Sequence, residues 1–198
     1  DQDYMYLRNH MRIPFVVYDG YCEKPERILN ITIDNYDGGF QTGTYFRERG
    51  HKRALCIADN DICVDMERYQ GFRDGFASGT VEFVMIPMRK EERWEYYRRN
   101  LSMFQSITAV FAVSDYYAMD LICFLQEQGI RVPEQISVAG FDDIPMCRMF
   151  CPTLTTVKQD GALRAKIAVE KLGELKMGKL IQNEIRLPVS LVVRASTK

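Results

Sequence analysis

Three places in the sequence set a carboxylate where sheets usually do chemistry. Asp19, Ser114-Asp115 and Asp142-Asp143 each fall just past a short apolar run. In open parallel sheets, ligands bind beyond the carboxyl ends of the strands. An ionised carboxylate only accepts hydrogen bonds and can take two hydroxyls at once, so such ends converging on one site would suit a hydroxyl-rich ligand. Asp is equally a favoured helix N-cap. Asp115 is expected to cap a helix at Tyr117, and one of Asp142 and Asp143 is expected to serve function. Arg68 is expected to start a helix after a polar loop over 58–65. A cation there opposes the helix macrodipole, which asks for a carboxylate partner or a ligand, with a plain surface arginine as the alternative.

Enzyme signatures are missing: the chain has no GxSxG, Walker loop, GxGxxG or HExxH string. No catalytic residue, metal or cofactor is therefore expected. Asp142-Asp143 would suit a metal-dependent hydrolase only with further ligands and a DxD spacing, neither of which is found. His10 and His51 lack a nearby nucleophile or metal partner. His51 follows Gly50 at a helix end, where a partly charged imidazole suits the dipole. Trp94, the single tryptophan, shares helical spacing with Tyr97, Leu101 and Phe104 and reads as packing.

The elements that must position these residues alternate. Short apolar strands are expected over 14–18, 30–33, 54–58, 81–86, 109–113, 136–139 and 155–157, with strand character again over 185–194. Helical spacing or helix-stop glycines mark 2–10, 37–49, 67–78, 91–104, 117–128 and 161–177. Alternating strands and helices imply βαβ units, parallel sheets and helices on both faces. The strands are too many for one small sheet, so the expected fold is α/β with two lobes.

The bulk numbers narrow the function classes. Of 198 residues 46% are hydrophobic and 27% charged, an ordinary globular balance. Lys and Arg number 26 against 27 for Asp and Glu. With no basic stripe, the chain is not expected to grip DNA by itself. Cys22, Cys56, Cys63, Cys123, Cys147 and Cys151 include no CxxC pair. Cys147 and Cys151 could form a disulfide, but free thiols and a reducing cytoplasmic setting are the expectation. No stretch is apolar enough to span a membrane. The polar N-terminus does not read as a secretory signal and looks like the interior of a longer chain.

A set of short strings, taken in order, resembles the lactose/galactose repressor family of transcription regulators. They are Asp34-Asn35-Tyr36-Asp37-Gly38-Gly39, Gly50-His51-Lys52-Arg53, Arg68-Tyr69-Gln70-Gly71-Phe72 and Ser114-Asp115-Tyr116-Tyr117-Ala118. Then come Gly129-Ile130-Arg131-Val132-Pro133 with Ile136-Ser137-Val138-Ala139-Gly140-Phe141-Asp142-Asp143, Pro152-Thr153-Leu154-Thr155-Thr156-Val157, and the closing Leu187-Pro188-Val189-Ser190-Leu191-Val192-Val193-Arg194. Each alone is weak; their shared order across the chain is specific.

The resemblance implies a periplasmic-binding-protein-like fold of two Rossmann-like lobes facing an effector cleft, with the first lobe incomplete and the DNA-binding head absent. It implies a partial N-terminal lobe over 1–60 plus 159–180 and a C-terminal lobe over 61–158 plus 181–198. Hinge crossings are expected near 60–65, 157–160 and 180–182. Effector contacts map onto Asp19, Arg68, Met88, Ser114, Asp142 and Gln159. Ser114 stands where the family carries asparagine, and Met88 near where many members present an aromatic wall, so the effector could be a sugar, a phosphosugar or a nucleobase. The implied partners are that small molecule, DNA through the missing head, and a second copy in a homodimer, with no membrane. A transport receptor of the same fold is the alternative.

Overall fold

The computed structural model describes Tyr6, His10 and residues 15–18, 29–179 and 184–198. Asp19 and Cys22 lie outside the described residues, as does nearly all of the helix expected over 2–10. The chain forms two compact units, Asp1–Asp34 with Asp160–Pro188, and Asn35–Gln159 with Val189–Lys198.

The larger unit is built on six strands: β3 (Arg53–Ala58), β4 (Thr80–Met85), β5 (Ala109–Ala112), β6 (Ser137–Asp142), β7 (Thr155–Lys158) and β9 (Ser190–Val192). They form one sheet in the order β4-β3-β5-β6-β7-β9. All neighbours run parallel except β7 and β9. Central β5 is buried at every residue and β3 at all but its first, the pattern of strands covered on both faces. Edge strand β4 is exposed at three of its six residues and buried at one. Helices α1 (Asn35–Glu48), α2 (Cys63–Phe76), α3 (Lys90–Arg99) and α4 (Asp115–Glu127) complete it.

Alternation along the strands sorts the core into two layers. Leu55, Ile57, Val110, Ala112 and Val138 pack with Tyr97 of α3 and Leu121, Phe124 and Leu125 of α4. Phe111 points the other way, to Phe72 of α2 at 4.9 Å between ring centres, and Phe72 meets Phe46 of α1 at 6.0 Å. Helices α1 and α2 touch backbone to backbone. A Cβ on Gly39 or Gly43 would strike the α2 main chain at Arg68 or Phe72, and one on Gly71 or Gly75 would strike α1 at Tyr36 or Phe40. With three glycines in its range, α1 is a poor helix by propensity. Its close fit to α2 outweighs that.

In the smaller unit the described residues form three strands, β1 (Val16–Tyr18), β2 (Leu29–Ile33) and β8 (Glu184–Leu187), all parallel and in the order β1-β2-β8. Helix α5 (Gly161–Lys176) is capped by Asp160, whose Oδ1 accepts from Leu163 N at 2.9 Å. The buried Arg164 lies 4.3 Å from the Tyr18 ring.

Several expectations need correction. The first crossing between units falls at Asp34/Asn35, not near 60, because α1 packs on α2 and β3 pairs with β4 and β5. The last falls at Pro188/Val189, not near 180–182: strand character over 185–194 divides into β8, paired with β2, and β9, paired with β7. The chain also passes between the units at Gln159/Asp160. The helix expected over 91–104 ends at Arg99 and continues as a 3-10 turn, Leu101–Gln105.

Candidate functional site

The sheet order places β3 between β4 and β5, so the connections after β3 and β4 leave in opposite directions. That is the switch point at which open α/β sheets leave a crevice beyond their carboxyl ends. Arg68 lies there, in the second turn of α2 rather than at its start, so the dipole argument for it does not hold. It does have the partners that argument sought. Nε donates to Asn35 Oδ1 at 2.9 Å and Nη1 to Val113 O at 2.6 Å, while the guanidinium lies 3.8 Å from the Phe141 ring centre. Its remaining nitrogen, Nη2, stands 4.0 Å from Asp142 Oδ1, too far for a direct hydrogen bond.

Asp142 closes β6 with φ of 120°, and Asp143 follows with φ of 54°. Both lie in backbone regions that non-glycine residues rarely occupy, strain that commonly collects at binding sites. The Asp142 carboxyl accepts from Gln159 Nε2 at 2.8 Å. Burial, with the Asp115 and Asp65 carboxylates, raises it to about 6 against the pull of Arg68 and Gln159. Burial lowers the Arg68 guanidinium, and Asp142, Asp65, Asp115 and Glu67 oppose that. A ligand hydroxyl about 2.8 Å from both Arg68 Nη2 and Asp142 Oδ1 would accept from one and donate to the other.

The neighbouring acids do structural work. Asp115 does not cap its helix: the Ser114 hydroxyl does, accepting from Tyr117 N at 3.4 Å. The buried Asp115 carboxylate instead accepts from Ile144 N, Cys147 Sγ and the Thr156 hydroxyl, tying the start of α4, β7 and the segment after β6 together. Asp143 pairs with Arg194 at 2.6 Å and Arg148 at 3.5 Å. Cys147 and Cys151 are free thiols. His51 is buried and bonded to Thr108 at 2.8 Å, and burial with the Lys198 charge lowers its pKa, contrary to a partly charged imidazole. Trp94 is half-buried, as expected of packing, and donates to Asp120 Oδ1 at 3.0 Å.

Arg68, Asp142 and Gln159 are thus brought together, and Ser114 directly follows Val113, whose carbonyl just beyond β5 Arg68 holds. Met88 lies beyond β4 and is 71% exposed. Sequence reasoning missed Asn35 and Phe141, although both stand in the strings quoted for the family. It also missed Arg93 and Asp120, for which only their charge inside amphipathic helices was a signal.

A family model described as a periplasmic binding protein-like domain matches residues 44–197. The chain belongs to this family, as an effector-binding domain of the lactose/galactose repressor type. This domain is 30% identical over 200 residues to the HTH-type transcriptional repressor PurR of Mannheimia succiniciproducens, covering 97% of this chain and 59% of that protein. It is 34% identical over 177 residues to PurR of Vibrio atlanticus, covering 85% of this chain and 52% of that protein. It therefore spans between half and three fifths of these curated relatives.

Among solved structures, a LacI family transcriptional regulator from Enterococcus faecium with bound ribose superposes with a TM-score of 0.84 at 27% identity, covering 96% of this chain and 72% of that one. A dimeric Lac repressor carrying a C-terminal deletion and one substitution also gives 0.84, at 25% identity, covering 100% and 74%. Among the described residues, no helix is long and apolar enough to cross a membrane.

Proposed function

We propose that this domain senses a small polar metabolite, a sugar or a nucleobase, for a DNA-binding transcriptional repressor. The observation that carries this reading is the juxtaposition of Arg68 and Asp142 at the sheet's switch point. Each is held by neighbours, and the two stand close enough for one hydroxyl to engage both. Ribose bound to the Enterococcus faecium regulator supports a sugar. Ser114, Met88 and Gln159 are further proposed contacts, and Asp19 is proposed on sequence grounds alone. The working unit is proposed to be a cytoplasmic homodimer that meets DNA through a separate head.

An effector changes a regulator's state only through differential affinity for its conformations. The test is calorimetry on the full-length regulator with D-ribose, cellobiose and guanine. At least one should bind, and Asp142→Ala should abolish that binding with the fold intact by circular dichroism. Unchanged affinity in the variant would refute the assignment.

A further inference from the structure

Arg93 is a charged side chain with no solvent exposure, on a helix whose other residues are mostly at the surface. Its Nε donates to Asp120 Oδ2 at 2.7 Å. Its Nη1 donates to two successive carbonyls, Pro87 O at 3.0 Å and Met88 O at 2.8 Å. The guanidinium lies 5.5 Å from the Tyr116 ring and 4.9 Å from the Tyr117 ring. The other Asp120 oxygen accepts from Trp94 Nε1 at 3.0 Å.

Stability alone does not call for this arrangement, since a well-packed apolar pair often replaces a buried ion pair without loss. An apolar pair cannot hold the carbonyls of residues 87 and 88, whereas a rigid fork of donors can. The held segment leaves the carboxyl end of β4 and carries Met88. Tyr116, 56% exposed, follows Ser114 by two residues at the start of α4. One buried cation therefore ties the loop after β4 to the helix after β5, on the two sides of the switch point.

We infer, on the effector-binding reading above, that Arg93 and Asp120 are positioning residues that fix Met88 relative to Tyr116 and Tyr117, and so set which ligands the site accepts. Trp94 shares Asp120 with Arg93, so its emission responds when this network changes.

The test compares the full-length regulator with Arg93→Met, with Arg93→Met/Asp120→Leu, which removes the charges together, and with Asp142→Ala. Hydrogen exchange needs no ligand. In the double variant, amides over 86–93 should lose protection and Trp94 emission should shift, while β5 and β6 keep their protection. Calorimetry with D-ribose, cellobiose and guanine should then show relative affinities altered by about tenfold or more, where a general weakening would lower all alike. Parent-like protection over 86–93 in a folded double variant would overturn the inference, and so would unchanged relative affinities among the probes that bind. Asp142→Ala should lose binding of every probe with loop protection intact. If it binds like the parent, or no probe binds the parent, the effector reading fails while exchange over 86–93 still judges Arg93.

Discussion

Asp142 combines a left-handed backbone, a half-buried carboxyl and a cation at the limit of pairing distance. Its carboxyl titrates near 6 in the fold against 3.8 in the open chain. The folded form thus holds the proton more tightly, and ionising Asp142 works against the fold. Stability from this group is present below about 4 and is lost as pH rises toward 6. Asp142→Asn keeps the shape without the charge. It should raise stability at pH 7.5 by about 1–2 kcal/mol, a gain that shrinks as pH falls from 6 and is gone below 4, as denaturant melts at each pH would show. Effector affinity should move oppositely and weaken as pH falls through about 6, because a protonated carboxyl gives up acceptor capacity. A pH-independent affinity would speak against Asp142 as a contact. Asp115→Ala, by contrast, should act on folding. Three donors converge on its buried carboxylate, and leaving buried donors unpaired costs about 1–3 kcal/mol each.

At the scale of elements, the α1–α2 pair and the α3–α4 pair position the site in different ways. Glycines let α1 and α2 approach until their backbones touch, and that approach brings Asn35 to Arg68. Gly71→Ala should destabilise the domain by about 1–3 kcal/mol or more through overpacking, and should weaken effector binding beyond what the lower melting point explains. The α3–α4 pair is fixed by charge as well as by rings. Asp120→Ala would strand the buried Arg93 guanidinium, and breaking one half of such a pair costs about 3–5 kcal/mol. Urea denaturation would read that loss, and the double apolar variant should recover much of it. Equal stabilities for the single and double variants would show that the ion pair is not coupled in this way.

At the scale of the whole molecule, the two units differ in substance. The larger has six strands with helices covering both sheet faces. In the smaller, the described residues give three strands and α5, with Val169 72% exposed on that helix and Met177 68% exposed just after it. Opening free energies follow buried contacts. Amides of β3, β5 and β6 should therefore outlast those of β1 and β2 by orders of magnitude in native-state exchange. Uniform protection would mean that both units open together. Light scattering on the full-length regulator should give a dimer, and a clean monomer would remove the proposed homodimer.

The alternation of apolar strands and helices, and hence the parallel α/β class, is written in residue order alone, and the order of the short strings carries the family. That Arg68, Asp142 and Gln159 would stand near one another was legible from motif positions and, for Asp142, from a strand end. Tertiary structure alone decided which sheet each strand joins. Residues 185–194 read as one strand yet serve two sheets, and α1 belongs with α2 rather than with the strand before it. It also decided that Ser114 caps while Asp115 ties distant segments, and that Arg93 turns inward to Asp120. The physical reason is common to these cases. Each depends on a partner tens of residues away, and a carboxylate or guanidinium carries no local mark of which partner it will find. Propensity and periodicity register only neighbours a few positions apart.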